Sequence, residues 1–309
     1  MSQIARAGGN GTLLANLTCM ASMLVWATAF PAVEVLSPHL SPLPLTAMRM
    51  VVAVAFLVPF WLWREGWAVL RAADWLKGLW VGGLGFAAGA ALLVQAQTMT
   101  DAVTVAVITA TMPVIGIALE CGLDGRRLTR LLILGILLSL AGGVLAYAAK
   151  IGGPELGLGL GLGALLALVS VVAFSWGSRL TVKGFASLSA LGQTTVTLVG
   201  ATVCTLTLTL LHFALGGAVP GFAAFGLPEV GALLIYALGS LAASQLLWIH
   251  GVRRLGIGIA SMHINAAPFY VMAFMMLLGQ PWNGWQAAGA VVVGIGVLIS
   301  QLGPRTATA

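Results

Sequence analysis

The chain has 309 residues, of which 60% are hydrophobic and 7% charged, with a mean hydropathy of +1.05. Soluble globular domains carry roughly 25% charged residues, so a soluble enzyme, a disordered scaffold and a secreted disulfide-rich domain are excluded, and an integral membrane protein is implied. The net charge of +6 comes from Lys and Arg in twos and threes between apolar stretches, a pattern of topology determinants rather than of a nucleic-acid-binding face.

A membrane helix needs about 20 mostly apolar residues. In chain order, such windows fall at 12–30, 44–63, 76–97, 102–120, 129–148, 157–178, 188–211, 229–250, 257–278 and 284–302. The fold expected is an all-α integral membrane protein with ten transmembrane helices. In the first window, Arg6, the run from Leu13 to Val25 and the small triad Ala27-Thr28-Ala29 imitate a signal peptide. Retention is expected, because the segment recurs in the second half. Cys19, Cys121 and Cys204 have no metal or redox spacing. HExxH and GxSxG are both absent, so no enzyme activity, cofactor or metal is expected. The run GLGLGLG from Gly157 meets a dinucleotide fingerprint only on paper, since no strand precedes it; small residues four apart suit close helix packing instead.

The cations set the orientation, since cytoplasmic loops retain positive charge. Arg6, Arg64, Arg71, Lys77, Arg126, Arg127, Arg130, Arg179, Lys183, Arg253, Arg254 and Arg305 fall on one side; Lys150 falls on the other and Arg49 within a span. Both termini are therefore expected in the cytoplasm. Trp61, Trp63, Trp67, Trp75 and Trp80 are expected at the inner interface, and Trp282 and Trp285 at the outer one.

The chain also repeats itself. The segment around Trp26 aligns with that around Trp176, and LLVQAQTMTDAVTVAVITATMP ending at Pro113 aligns with LLWIHGVRRLGIGIASMHINAAP ending at Pro268. Gly135 and Gly142 correspond to Gly289 and Gly296. Two units follow, 1–150 and 151–309. With five helices each, an odd number, they are inverted repeats, a geometry that can open a central site alternately to each membrane face. Gly289 and Gly296 either pack within the chain or join two copies; a monomer is expected.

WATAFPAVEVL from Trp26, LTAMRMVVAVAF from Leu45, and the small-residue runs ending at Pro113 and Pro268 resemble the paired EamA repeats of the drug/metabolite transporter superfamily. Within it the chain is most similar to bacterial inner-membrane exporters of aromatic amino acids. Where the family often has Trp-Gly-Ser-Asn and a following Lys, this chain has Ala27, Thr28, Ala29 and Glu34; Trp176-Gly177-Ser178 with Lys183 stays closer. The resemblance implies a multi-pass protein of the bacterial inner membrane that exports aromatic or large neutral amino acids and similar amphipathic metabolites. Nucleotide-sugar, drug or lipid carriers of the same superfamily are the alternative. An intramembrane enzyme or receptor lacks a catalytic set or a soluble sensing domain.

Several residues are candidates for the site. Arg49, charged and inside a span, either attracts a substrate carboxylate, bonds carbonyls freed where Pro31 interrupts the first helix, or snorkels to the interface. Trp26 and Trp176, at equivalent positions, suit flat walls for an aromatic cargo or simple membrane packing. Trp248 shares a helix face with Ser244. Gln95 suits a polar group of the substrate or an interhelical bond. On a regular helix Ser261 and Asn265 share one face, and His263 and Tyr270 nearly the opposite one. Asn265 is expected at the cavity. His263 either bonds a neighbouring helix or carries a coupling proton. The partners expected are a small-molecule substrate and the lipid bilayer.

Overall fold

The computed structural model describes residues 2–123, 129–151, 158–220, 225–255 and 260–301. Among these no strand occurs. Seven stretches are long and apolar enough to cross a membrane: Leu13–Leu36, Pro42–Ala72, Trp75–Met99, Ala102–Leu123, Gly161–Gly184, Ala190–Ala214 and Leu227–Leu255. Shorter apolar helices, Ile133–Gly143, Ser261–Leu277 and Gly284–Ile299, occupy the fifth, ninth and tenth expected windows. The ninth is shortened because 256–259 lie outside the described residues, as do Gly157, Arg126, Arg127, Glu155 and Arg305.

The rods are interrupted where the sequence disturbs the backbone ladder. Helices α1 (Ser2–Ala27) and α2 (Ala29–Leu36) form one broken rod. Pro31 has no N–H, and its ring clashes with the carbonyl four residues back. At the break Thr28 donates both its N–H and its hydroxyl to the Val25 carbonyl, at 3.3 and 2.7 Å. Helix α3 (Pro42–Ala72) starts with Pro at its first position after the extended Ser41, where a missing N–H costs nothing. It bends at Gly66, whose φ of 80° lies in the left-handed region.

The third rod joins α4 (Trp75–Val81) and α5 (Ala88–Met99) through a π-helical stretch, Gly82–Ala87. The eighth joins α11 (Leu227–Leu234) and α12 (Ser244–Leu255) through another, Ile235–Ala243. The fourth is split between α6 (Ala102–Thr109) and α7 (Met112–Leu123). In the ninth, a 3-10 turn over Ser261–Ala266 leads into α13 (Ala267–Leu277). Both α7 and α13 carry proline at their second residue, Pro113 and Pro268. Matching irregularities therefore accompany matching sequence in the two halves. Two irregularities have no match: α9 (Leu158–Gly184), the counterpart of the first rod, is unbroken, and the bend at Gly66 in α3 has no equivalent in the seventh rod.

Helices α8 (Arg130–Ile151), α10 (Ala190–Ala214) and α14 (Gly284–Gln301) complete the set. Glycine contacts lock pairs of them together. A Cβ on Gly142 would stand 2.7 Å from the Gly289 carbonyl, and one on Gly296 would stand 2.8 Å from that of Gly135. The four glycines matched between the halves thus pack α8 on α14 within the chain. Gly82 and Gly200 let the third rod touch the α10 backbone in the same way, and Gly163 faces Thr100 and Met99.

The outer surface is apolar along most rods, with Leu13, Trp63 and Trp80 strongly exposed. Such a surface would be an aggregation site in water and is the ordinary lipid face of a membrane protein. Trp63, Trp67, Trp282 and Trp285 are exposed as a belt requires. Trp61 is not a belt residue: it is 1% exposed and its indole donates to Glu65 at 3.0 Å. Its period along α3 points it into the bundle, which residue type alone does not reveal.

Candidate functional site

A cavity lies where α1, α3, α5, α9 and α12 meet. Its apolar walls are built from rings. Trp26 on α1 stands edge-on to Phe30, at 5.1 Å and 87°, and Phe86 meets Phe174 at 5.2 Å and 77°. Trp248 on α12 closes the same space. Edge-to-face pairs are the favoured arrangement of two rings and are worth about 0.5–1.5 kcal/mol beyond the area they bury.

The polar side is a relay of hydrogen bonds into the second π-helical stretch. Ser22 donates to the Ser244 carbonyl at 2.7 Å, and the Ser244 hydroxyl donates to the Ser240 carbonyl at 2.6 Å. Arg49 reaches the same carbonyl at 3.3 Å and the Ser240 hydroxyl at 3.4 Å. Widening from i+4 to i+5 bonding displaces carbonyls from the regular ladder, which is what makes Ser240 available to two side chains. The Arg49 guanidinium also lies over Tyr236, 4.1 Å from the ring centre. Arg49 is only 4% exposed, so it does not snorkel, and the carbonyl it bonds belongs to the eighth rod rather than to the first helix near Pro31. No carboxylate is among its contacts, and its Nε–H has no partner.

The structure brings four of the sequence candidates together at this cavity: Trp26, Arg49, Ser244 and Trp248. Gln95, Trp176, Asn265 and His263 are not among the residues lining it. Each lies on a different face. Gln95 is half-buried, while Gln97, roughly 200° round the same helix, is the amide that turns inward and bonds the Phe30 carbonyl at 3.0 Å and Glu34 at 3.1 Å. Trp176 is half-buried, and Phe174, two residues earlier, takes the cavity position.

In the ninth rod the 3-10 turn changes the geometry. Residues three apart eclipse on such a turn, so Ile264, in line with Ser261, is the one at the cavity. Asn265 is half-buried with its Oδ1 enclosed and unpartnered, and His263 bonds locally to the Ala260 carbonyl at 3.1 Å.

Gln245, Ser22 and the Phe86–Phe174 pair also line the cavity and were not singled out in the sequence. Gln245 carried a signal, since it precedes Trp248 by three residues and so shares its helical face. The phenylalanines carried none, being indistinguishable in type from lipid-facing ones.

The two ends of the bundle differ. Beside α2, α6 and α14 a polar vestibule is lined by Glu34, Gln97, Asp101 and Gln286. Gln286 donates to Asp101 at 3.0 Å and to Thr104 at 3.2 Å. At the cation-rich end three hydrogen bonds tie the segment 184–189 to neighbouring helices. Lys77 donates to the Gly184 carbonyl at 2.7 Å, Arg253 to the Leu188 carbonyl at 2.9 Å, and Ser189 to Glu65.

No curated protein sequence matches the chain. A solved structure described as "Crystal structure of protein" superimposes with a TM-score of 0.68 over 93% of this chain and 96% of its own, at 22% identity. At that identity the likeness is one of fold. Residues 13–148 match the EamA-like transporter family.

Proposed function

We propose that the chain is an EamA-type carrier of the drug/metabolite transporter superfamily, built of ten transmembrane helices in two inverted repeats. It exports small amphipathic metabolites, aromatic or large neutral amino acids among them, across a bacterial inner membrane, with both termini in the cytoplasm. The family match over residues 13–148 coincides with the first expected repeat. One observation carries the mechanistic reading. The cavity draws Trp26 and Arg49 from the first half, and Ser244 and Trp248 from the second, so relative movement of the halves would open and close it. Alternating access by repeats needs such a shared site.

The aromatic walls take an apolar body and Arg49 takes a carboxylate. Function is then binding and release without bond chemistry. A nucleotide sugar or another multiply anionic cargo is less well served, because among the described residues Arg49 is the one cation lining the cavity.

Counterflow in proteoliposomes, with labelled phenylalanine, tyrosine and tryptophan at several imposed pH gradients, tests the reading. Flux above that of protein-free vesicles is expected for at least one of them. Equal flux for all three removes the amino acids from the proposal, and dependence on the gradient identifies proton coupling.

A further inference from the structure

The polar groups at the cavity are hydroxyls, an amide, an indole and a guanidinium. Ser22, Ser170, Ser244 and Thr109 line it, and each spends its hydroxyl hydrogen on a backbone carbonyl: Ser22 on Ser244, Ser170 on Gly89, Ser244 on Ser240 and Thr109 on Ala106, all within 2.6–2.7 Å. Their oxygens keep lone pairs that can accept, while the unpaired donors are N–H groups. Arg49 Nε, Trp248 Nε1 and Gln245 Nε2 are enclosed and have no partner, on side chains only 4%, 2% and 4% exposed. Arginine and indole nitrogens can only donate, while the Gln245 amide can turn either way. Buried donors without acceptors are costly, and the three side chains that carry them all belong to the cavity lining.

Among the described residues no Asp or Glu lines the cavity. Glu34 and Asp101 stand in the vestibule, where Gln97 and Gln286 already bond them. An ammonium group entering the cavity would meet the Arg49 charge without a counter-ion, in surroundings too apolar to screen the repulsion. A carboxylate would meet a guanidinium, an indole N–H and an amide.

Resting on the carrier reading above, we infer that the cavity selects amphipathic monocarboxylates that lack an ammonium, such as aryl-substituted alkanoic or 2-oxo acids, over the corresponding amino acids. Trp26, Phe86 and Phe174 hold the ring. Arg49, Trp248 and Gln245 hold the carboxylate.

The test uses the full-length protein in detergent and in proteoliposomes, with four probes sharing a phenyl ring: 3-phenylpropionate, phenylpyruvate, phenylalanine and phenethylamine. Binding is read from quenching of tryptophan fluorescence, and counterflow from labelled 3-phenylpropionate and phenylalanine. The two acids are expected to bind at least about tenfold tighter than phenylalanine, the scale of a charge-assisted hydrogen bond, and phenethylamine is expected not to bind. Trp248→Phe keeps the ring and removes the donor, so it should weaken 3-phenylpropionate about tenfold. Arg49→Lys, which keeps the charge and loses the fork, serves alongside it, with the thermal midpoint of each variant as the control for folding. Phenylalanine binding as tightly as 3-phenylpropionate overturns the inference and leaves the carrier reading standing. Failure of all four probes to bind or move overturns the inference and the assignment of this cavity together.

Discussion

The Arg49 guanidinium carbon lies 4.1 Å from the centre of the Tyr236 ring, and this pairing joins the second rod to the eighth at the point where the eighth becomes π-helical. A buried guanidinium normally requires an anion. Here a ring face, a carbonyl and a hydroxyl share the task, and part of the charge is left facing the cavity. Tyr236→Leu removes the ring but not the charge. It is expected to lower stability by about 2 kcal/mol, the value of a desolvated cation–π contact, in denaturant titration of the detergent-solubilised protein. Arg49→Met, which removes the charge and keeps the stem, is expected to be milder in stability and to abolish carboxylate binding.

The glycine lock between α8 and α14 yields a prediction about assembly as well as stability. Gly142→Val would drive a side chain into the Gly289 carbonyl and the Val293 amide. Overpacking of this kind costs about 1–3 kcal/mol. Because the contact is within one chain, the thermal midpoint is expected to fall while the mass measured by light scattering stays unchanged. A change in mass without a change in midpoint would place these glycines between copies instead.

Much of this fold was legible in the sequence because lipid imposes a simple rule on composition. The apolar windows mark the rods, and the paired Pro113 and Pro268 mark two matching breaks. Arg49 stood out because a charge in an apolar helix demands an explanation. Orientation around a helix was less legible. Trp176 and Phe174 are both aromatic, Gln95 and Gln97 both amides, and two residues of rotation decide which of each pair faces inward. A regular-helix projection also failed at Ser261–Ala266, where the 3-10 turn puts Ile264 rather than Asn265 at the cavity. The π-helical stretches left no mark in residue type, yet Ile235–Ala243 is what offers the Ser240 carbonyl to Arg49.

That difference in rotation is itself testable. Phe174→Ala opens the aromatic wall facing Phe86, whereas Trp176→Ala changes a half-buried residue that does not line the cavity. Loss of an edge-to-face partner costs about 1 kcal/mol beyond the area lost. Binding of an aromatic carboxylate, followed by fluorescence or calorimetry, is expected to weaken several-fold in Phe174→Ala and to stay near the parent value in Trp176→Ala. The reverse order would mean that α9 turns its other face to the substrate.

At the cation-rich end, Ser189 has two jobs. Its hydroxyl oxygen accepts the Gly192 N–H at 3.0 Å, capping α10, and its hydroxyl donates to Glu65, which also holds Trp61. Ser189→Ala removes a helix cap worth about 1 kcal/mol and leaves Glu65 with one donor fewer. Glu65→Gln keeps the cap and removes only the charge assistance. Ser189→Ala is therefore expected to lower the denaturation midpoint more than Glu65→Gln does. Both should loosen the tie across residues 184–189, read as faster labelling by a water-soluble maleimide of a cysteine placed at Leu188. Unchanged labelling in both variants would show that this segment is held by the neighbouring Lys77 and Arg253 bonds to backbone carbonyls.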